Sequence, residues 1–138
     1  MARPRSRHLV RVAYVDTDQA RVVHHSTYLR YLEQARVEFL REQGFDYAAW
    51  ERATNTGLPV VDVRMRYLRP ARFDDLLEIT TWVHDGRRAW MWFHSEIRRD
   101  GALLTEGAVR VAAATLDGQI RRVPVEMLQL CLGDEYVE

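Results

Sequence analysis

Lysine is absent from this chain: all 20 basic residues among its 138 are arginine, balanced by 20 acidic residues. Without an ammonium side chain, Schiff-base chemistry and the Gly-Lys-Ser/Thr phosphate loop are excluded. Arginine is not deprotonated in proteins, so none of these cations can act as a general base. Cysteine is nearly absent as well. The single Cys131 permits no internal disulfide and no cysteine-based metal cluster, which fits a reducing compartment. The seven glycines (44, 57, 86, 101, 107, 118 and 133) are scattered and form no dinucleotide-binding fingerprint. There is no excess of positive charge, and the arginines are interleaved with acids, so nucleic acid is not the expected partner. No apolar run approaches the length of a membrane span. The basic start MARPRSRHLVRVAYVDTD is interrupted by Arg11 and lacks a small-residue cleavage pattern, so no signal peptide is read. The expectation is one soluble, cytoplasmic domain over residues 1–138.

What is present is a change of period along the chain. Leu9 to Tyr14 alternates and predicts a short strand. In Ser26 to Gln43, apolar residues recur at Tyr28, Tyr31, Leu32, Ala35, Phe39 and Leu40, which is the stripe of an amphipathic helix. Ser26 or Thr27 suits its start, Arg36 and Arg41 its negative end, and Gly44 its stop. Residues 46–52 predict a short second helix. Beyond Gly57 the period falls from 3.6 to 2. Val61, Val63, Met65 and Tyr67 predict one strand, and Leu77, Ile79, Thr81 and Val83 a second. Ala89, Met91, Phe93 and Ile97 mark a third, joined to the second through Asp85-Gly86. A long strand over Leu103 to Leu116 follows a tight Asp100-Gly101 turn. A short strand around Ile120 to Val123 comes next, and Pro124 opens a terminal helix.

One long helix followed by hairpin-linked strands is an α+β pattern. A helix with so broad a stripe must be covered, and a curved antiparallel sheet of five to six strands wrapped around it is the economical solution. The opposite parity of the strands carries Trp82, His84, Trp90, Trp92 and His94. Three tryptophans on an outer face suggest cover by another subunit, against the alternative of scattered surface aromatics.

Chemistry concentrates in Asp16 to His25, DTDQARVVHH, immediately before the long helix. The spacing of its carboxylates and imidazoles is not that of a metal cage, so no metal is expected. Asp16 and Asp18 can satisfy turn amides, or one can face the free amides of a helix N-terminus that stabilise an oxyanion. Serine routes are poor, since Ser26 and Ser95 follow histidine with no Gly-x-Ser-x-Gly elbow. Cys131 lies in an apolar terminal helix and reads as packing.

The segment VRVAYVDTDQARVVHHSTYLRYLEQARVEFL resembles the signature of the 4-hydroxybenzoyl-CoA thioesterase-like family of hot-dog-fold proteins. The nearest branch is the bacterial acyl-CoA thioesterases associated with the Tol-Pal system. Residues 67–79, YLRPARFDDLLEI, and the Arg87-Arg88 pair extend the likeness from about Val10 to Val125. The resemblance implies a central helix wrapped by a sheet, assembly into a homodimer or homotetramer, and an active site at a dimer interface. It implies hydrolysis of acyl-CoA, or of another pantetheine thioester, with no cofactor. Asp18 takes the place of the catalytic carboxylate, and the backbone amide of His25 that of the group polarising the thioester carbonyl. Arg87 and Arg88 match a CoA-phosphate position, against the alternative of a solvated turn, with Arg121-Arg122 a second candidate.

An ordinary aspartate titrates about three units below neutral, so as a general base it forfeits roughly 4 kcal/mol of driving force. Asp18 therefore fits either a nucleophile that forms an acyl-enzyme anhydride or a water base raised by burial. Asp16 is expected to organise the loop and His24 to make a structural hydrogen bond. Tyr28 is core or pocket wall. The family has Gly shortly after the catalytic Asp, where this chain reads Gln19-Ala20-Arg21. Arginine takes up positive φ less freely than glycine, and its cation is placed to read a polar or charged acyl group. The rival activities are a hot-dog-fold enoyl-CoA hydratase or dehydratase and a non-catalytic acyl-binding module.

Overall fold

The computed structural model describes residues 3–133 and Tyr136, so the ends of the expected 1–138 span lie outside the described residues. Its centre is α1 (Thr27–Glu42), which buries Tyr28, Tyr31, Leu32, Ala35, Phe39 and Leu40, the stripe read from the sequence. Full burial of a Leu or Phe side chain contributes roughly 1.5–3 kcal/mol, so this face holds the helix in place. Gly44, at φ +91°, supplies the stop. The expected side-chain cap is not made. Ser26 already has helical dihedrals (φ −73°, ψ −24°), and its hydroxyl lies 2.7 Å from His24 Nδ1 instead. The second helix, α2 (Tyr47–Thr54), starts on Asp46, whose carboxylate accepts from the Ala49 N–H at 3.0 Å.

A five-stranded antiparallel sheet wraps α1 in the order β1-β4-β5-β6-β3. Its members are β1 (Ser6–Arg11), β3 (Val60–Tyr67), β4 (Leu76–Arg87), β5 (Trp90–Arg99) and β6 (Ala102–Val111). Leu77, Ile79, Val83, Met91, Phe93 and Ile97 face the helix and are buried, as their parity predicts. Phe39 meets Phe93 edge-on at 6.1 Å. A smaller sheet joins β2 (Thr56–Gly57), β7 (Ala113–Thr115) and β8 (Ile120–Arg121). The last helix, α3 (Val125–Leu132), starts from Pro124 and buries Met127, Leu128, Cys131 and Leu132. The expected hot-dog architecture is therefore present.

The structure revises four boundaries. β1 begins three residues before Leu9, and Tyr14–Asp16 forms a 3-10 turn rather than strand. Asp85-Gly86 is not the hairpin turn: β4 continues through a register shift between Val83 and Asp85, and the chain reverses at Arg88-Ala89. The predicted long strand 103–116 is broken at Ala112, whose N–H turns to Pro59 O at 3.1 Å before β7 changes sheet. The alternation of β3 buries only Met65, and that in part. Val61, Val63 and Tyr67 stay exposed because β3 is an edge strand with a single neighbour.

One close approach sets the distance between helix and sheet. A Cβ at Gly107 of β6 would lie 2.6 Å from Met65 Sδ and 2.8 Å from Leu32 Cδ1, so any larger residue would have to displace the ends of those two side chains. On the outer face the tryptophans are half-buried in the single chain, and arginines supply part of the cover. The Arg5 guanidinium lies 3.9 Å from the Trp82 ring centre, and Arg64 and Arg110 lie against Trp92 at 4.8 and 5.5 Å.

Candidate active site

The loop between β1 and α1 is organised by Asp16. This residue is 4% exposed, and its Oδ2 accepts from Tyr31 OH at 2.8 Å and from the Ala13 N–H at 3.0 Å. Its Oδ1 pairs with the Arg30 guanidinium, and its carbonyl accepts from the His24 N–H at 3.0 Å. One residue thus ties the end of the first strand, the loop and two turns of α1 together. Burial, and then the bond to Asp16, push the Tyr31 hydroxyl well above the usual tyrosine range, so it remains a donor. The loop-organising role expected for Asp16 is what the geometry shows.

Asp18 sits differently. Residues 18–21 form a tight turn in which Arg21 N–H donates to Asp18 O at 2.9 Å and Asp18 N–H to Val22 O at 3.0 Å. Arg21 has φ +65°, the left-handed position that glycine usually fills in a turn-plus-bulge loop. The arginine does adopt this conformation, contrary to its expected reluctance, because backbone bonds hold the turn from both sides. Thr17 bridges Val23, Val22 bridges Arg72, and Val23 N–H reaches Ala71 O at 2.8 Å. The Asp18 carboxylate is exposed. Its Oδ1 accepts from the Ala20 N–H at 2.8 Å, and among the described residues its Oδ2 has no partner.

Asp18, His25 and Tyr28 line one cleft of about 360 Å³ at the N-terminus of α1, together with Val22, Tyr67, Leu68, Arg69 and Pro70. The Tyr28 and Tyr67 rings stand 5.3 Å apart. Both hydroxyls are engaged: Tyr67 OH donates to His25 O at 3.1 Å, and Tyr28 OH accepts from the Ala71 N–H at 3.3 Å. Burial raises the Tyr67 hydroxyl as well, which preserves its donor role. The His25 N–H has no acceptor among the described residues, and the His25 ring lies against that of His24 at 4.2 Å. His24 is held by Ser26, through hydroxyl and N–H, in the structural role expected for it. Neither His24 nor Ser26 lines the cleft. Asp18 also borders a second, larger cleft of about 640 Å³ that contains Arg21, Gln19 and an edge-on Tyr14–Phe73 pair.

The structure therefore brings together Asp18, His25 and Tyr28, with Arg21 on the adjoining cleft. It does not bring Arg87 and Arg88 there. The Asp18 loop abuts the start of β4, and Arg87 ends that 12-residue strand, about 36 Å further along it. Arg87 is exposed beside Trp90, whereas Arg88 is half-buried, donating through Nε to Val123 O at 2.7 Å. Arg121 and Arg122 are exposed by the small sheet. Ser95 is buried against Thr81 at 2.9 Å, and burial pushes the Cys131 thiol up to about 12, which removes both as nucleophiles. The sequence does not single out Tyr67 and Arg69 as cleft residues. Both lie in the segment 67–79 that carries the family likeness, but there Tyr67 reads as a strand position and Arg69 as one arginine among many. Among the described residues there is no group of three or more His, Cys, Asp or Glu suited to a metal, and no helix long and apolar enough to cross a membrane.

Comparison with known proteins places this geometry. The model of the thioesterase-like superfamily matches residues 12–129. The acyl-CoA thioester hydrolase YbgC of Escherichia coli is 38% identical over 103 residues, covering 74% of this chain and 76% of that protein. A hypothetical protein of Thermus thermophilus with a solved structure is 33% identical and superposes with a TM-score of 0.84, over 91% of this chain and 96% of its own. The fold, though not the sequence, is shared as closely with a 4-hydroxybenzoyl-CoA thioesterase, at a TM-score of 0.86 and 22% identity over 94% and 99% of the two chains. With a family match across most of its length and a strand-wrapped helix to go with it, the chain belongs to the thioesterase-like superfamily.

Proposed function

We propose that this protein is an acyl-CoA thioesterase that cleaves its substrate at the Asp18 cleft. The observation that carries this reading is the meeting of Asp18, His25 and Tyr28 in one cleft at the start of α1. A thioester bound there has its carbonyl oxygen polarised by the His25 N–H, which has no acceptor of its own among the described residues. Asp18 Oδ1 is occupied by Ala20, so Oδ2 is the reacting oxygen. It attacks the thioester carbon and expels the CoA thiolate, and water then hydrolyses the resulting anhydride. Alternatively, it takes the proton of a water that attacks directly. In a single turnover in ¹⁸O-water, label entering Asp18 establishes the anhydride, whereas label entering only the product acid is common to both routes.

Asp18→Asn keeps the shape of the turn and removes the anionic oxygen. We expect thiol release from a panel of aliphatic and aromatic acyl-CoAs to fall at least about a hundredfold, with the melting temperature unchanged. An unimpaired variant, or a wild type that releases no thiol from any of the panel, would sink the assignment. Hydration of an enoyl-CoA without thiol release would point to a hydratase, and binding without turnover to an acyl-binding module.

The working form is a homodimer or homotetramer. The exposed Val61, Val63 and Tyr67 of edge strand β3 and the half-buried tryptophans of the outer face support this. Arg87, remote from the cleft of its own chain, is then available for the phosphates of a CoA bound by a second copy. Polar replacement of Trp82, Trp90 and Trp92 together should reduce the solution mass by light scattering. Retention of the wild-type mass would count against the outer face as an interface.

A further inference from the structure

We propose that Arg69 reads an anionic group at the far end of the acyl chain, so that the enzyme prefers compact acyl-CoAs that carry a carboxylate. This inference rests on the thioesterase reading of the same cleft. Two hydroxyls on the cleft walls already have backbone partners: Tyr67 OH donates to His25 O, and Tyr28 OH accepts from the Ala71 N–H. What these walls present is ring surface, alongside Val22, Leu68 and Pro70.

Arg69 is the one cationic side chain on these walls. Its own N–H donates to Leu104 O at 3.0 Å, which fixes the backbone, but among the described residues its guanidinium has neither ion pair nor hydrogen bond. Elsewhere Arg7, Arg30, Arg66 and Arg99 each meet a carboxylate. The Asp18 carboxylate on the same cleft repels an anion close to the thioester, so an acidic group on the acyl chain is favoured only at its distal end. Arg69, on the same walls, offers such a group a planar, bidentate partner. A volume of about 360 Å³ takes a substituted aromatic ring or a short chain rather than a long fatty acyl group.

The test compares matched pairs, benzoyl-CoA with 4-carboxybenzoyl-CoA and hexanoyl-CoA with adipoyl-CoA, on wild type, Arg69→Gln and Arg52→Gln. Arg52 is an exposed α2 residue outside the cleft and controls for general charge steering. We expect wild type and Arg52→Gln to favour the carboxylated member by about tenfold or more in kcat/KM, mostly through KM. Arg69→Gln should abolish that preference, with neutral-substrate kinetics and melting temperature unchanged. Equal turnover of both members by wild type, or a preference that survives in Arg69→Gln, overturns the proposal and leaves the thioesterase reading standing. An equal loss on both members in Arg69→Gln also overturns it, since the cation would then serve the phosphates common to every CoA ester. Failure of the wild type to release thiol from any of the four substrates strikes the underlying reading itself.

Discussion

Asp16 is 4% exposed and receives bonds from Tyr31, Ala13 and Arg30, whereas Asp18, two residues later, is exposed and receives one bond, from Ala20. The two share one functional group and one loop, so the difference lies wholly in what the fold places around them. Asp16 lies over the buried stripe of α1, where an unpaired acceptor is costly and both carboxylate oxygens have found donors. Asp18 opens a turn that projects away from that stripe and leaves an oxygen for a ligand. Position within the loop thus separates a carboxylate bonded into the fold from one that is open to the cleft.

Substitutions can break that contrast. Asp16→Ala should have the largest effect, a loss of about 2–3 kcal/mol in denaturant unfolding, because the Tyr31 hydroxyl and the Ala13 N–H lose their acceptor. The Arg30 pair contributes little of this, since that side chain is 51% exposed. Tyr31→Phe removes one of the same bonds and should cost about 1–1.5 kcal/mol. Asp18→Ala should stay within about 0.5 kcal/mol of wild type. If Asp18→Ala proves as destabilising as Asp16→Ala, the division of labour fails.

A change of opposite sign sharpens the comparison at the other end of the turn. Arg21→Gly relieves a left-handed conformation that costs an L-residue about 1–2 kcal/mol, at the expense of about 0.5–1 kcal/mol of added chain entropy. A net gain of about 0.5–1 kcal/mol is expected. Since Arg21 borders the second cleft, the same variant should change acyl preference or rate. Unchanged kinetics would remove Arg21 from the site.

The sequence was most informative where one period persisted. Each of the six stripe residues of α1 is buried, and the inward parity of β4 and β5 is as read, because a single face of each element meets a single core. Legibility failed where a strand changed partner or lost one. Nothing local in Val111-Ala112-Ala113 signals that the chain leaves one sheet for another. Likewise β3 keeps a perfect alternation although its edge position leaves most of it uncovered. Asp18, His25 and Tyr28, read together from one short motif, line the same cleft. Tyr31 was read only as part of the apolar stripe, which concealed its bond to Asp16. Arg69 reaches the cleft through the connection between β3 and β4, a relation that spacing along the chain does not encode.

Gly107 gives the sheet a consequence that burial alone does not describe. The missing Cβ leaves room for the ends of the Met65 and Leu32 side chains, and Leu32 stands about 10 Å along the chain of α1 from the cleft at its N-terminus. A methyl group added there would crowd an occupied space rather than open a void. The two side chains, one from the edge strand and one from the helix, would then compete for the same volume.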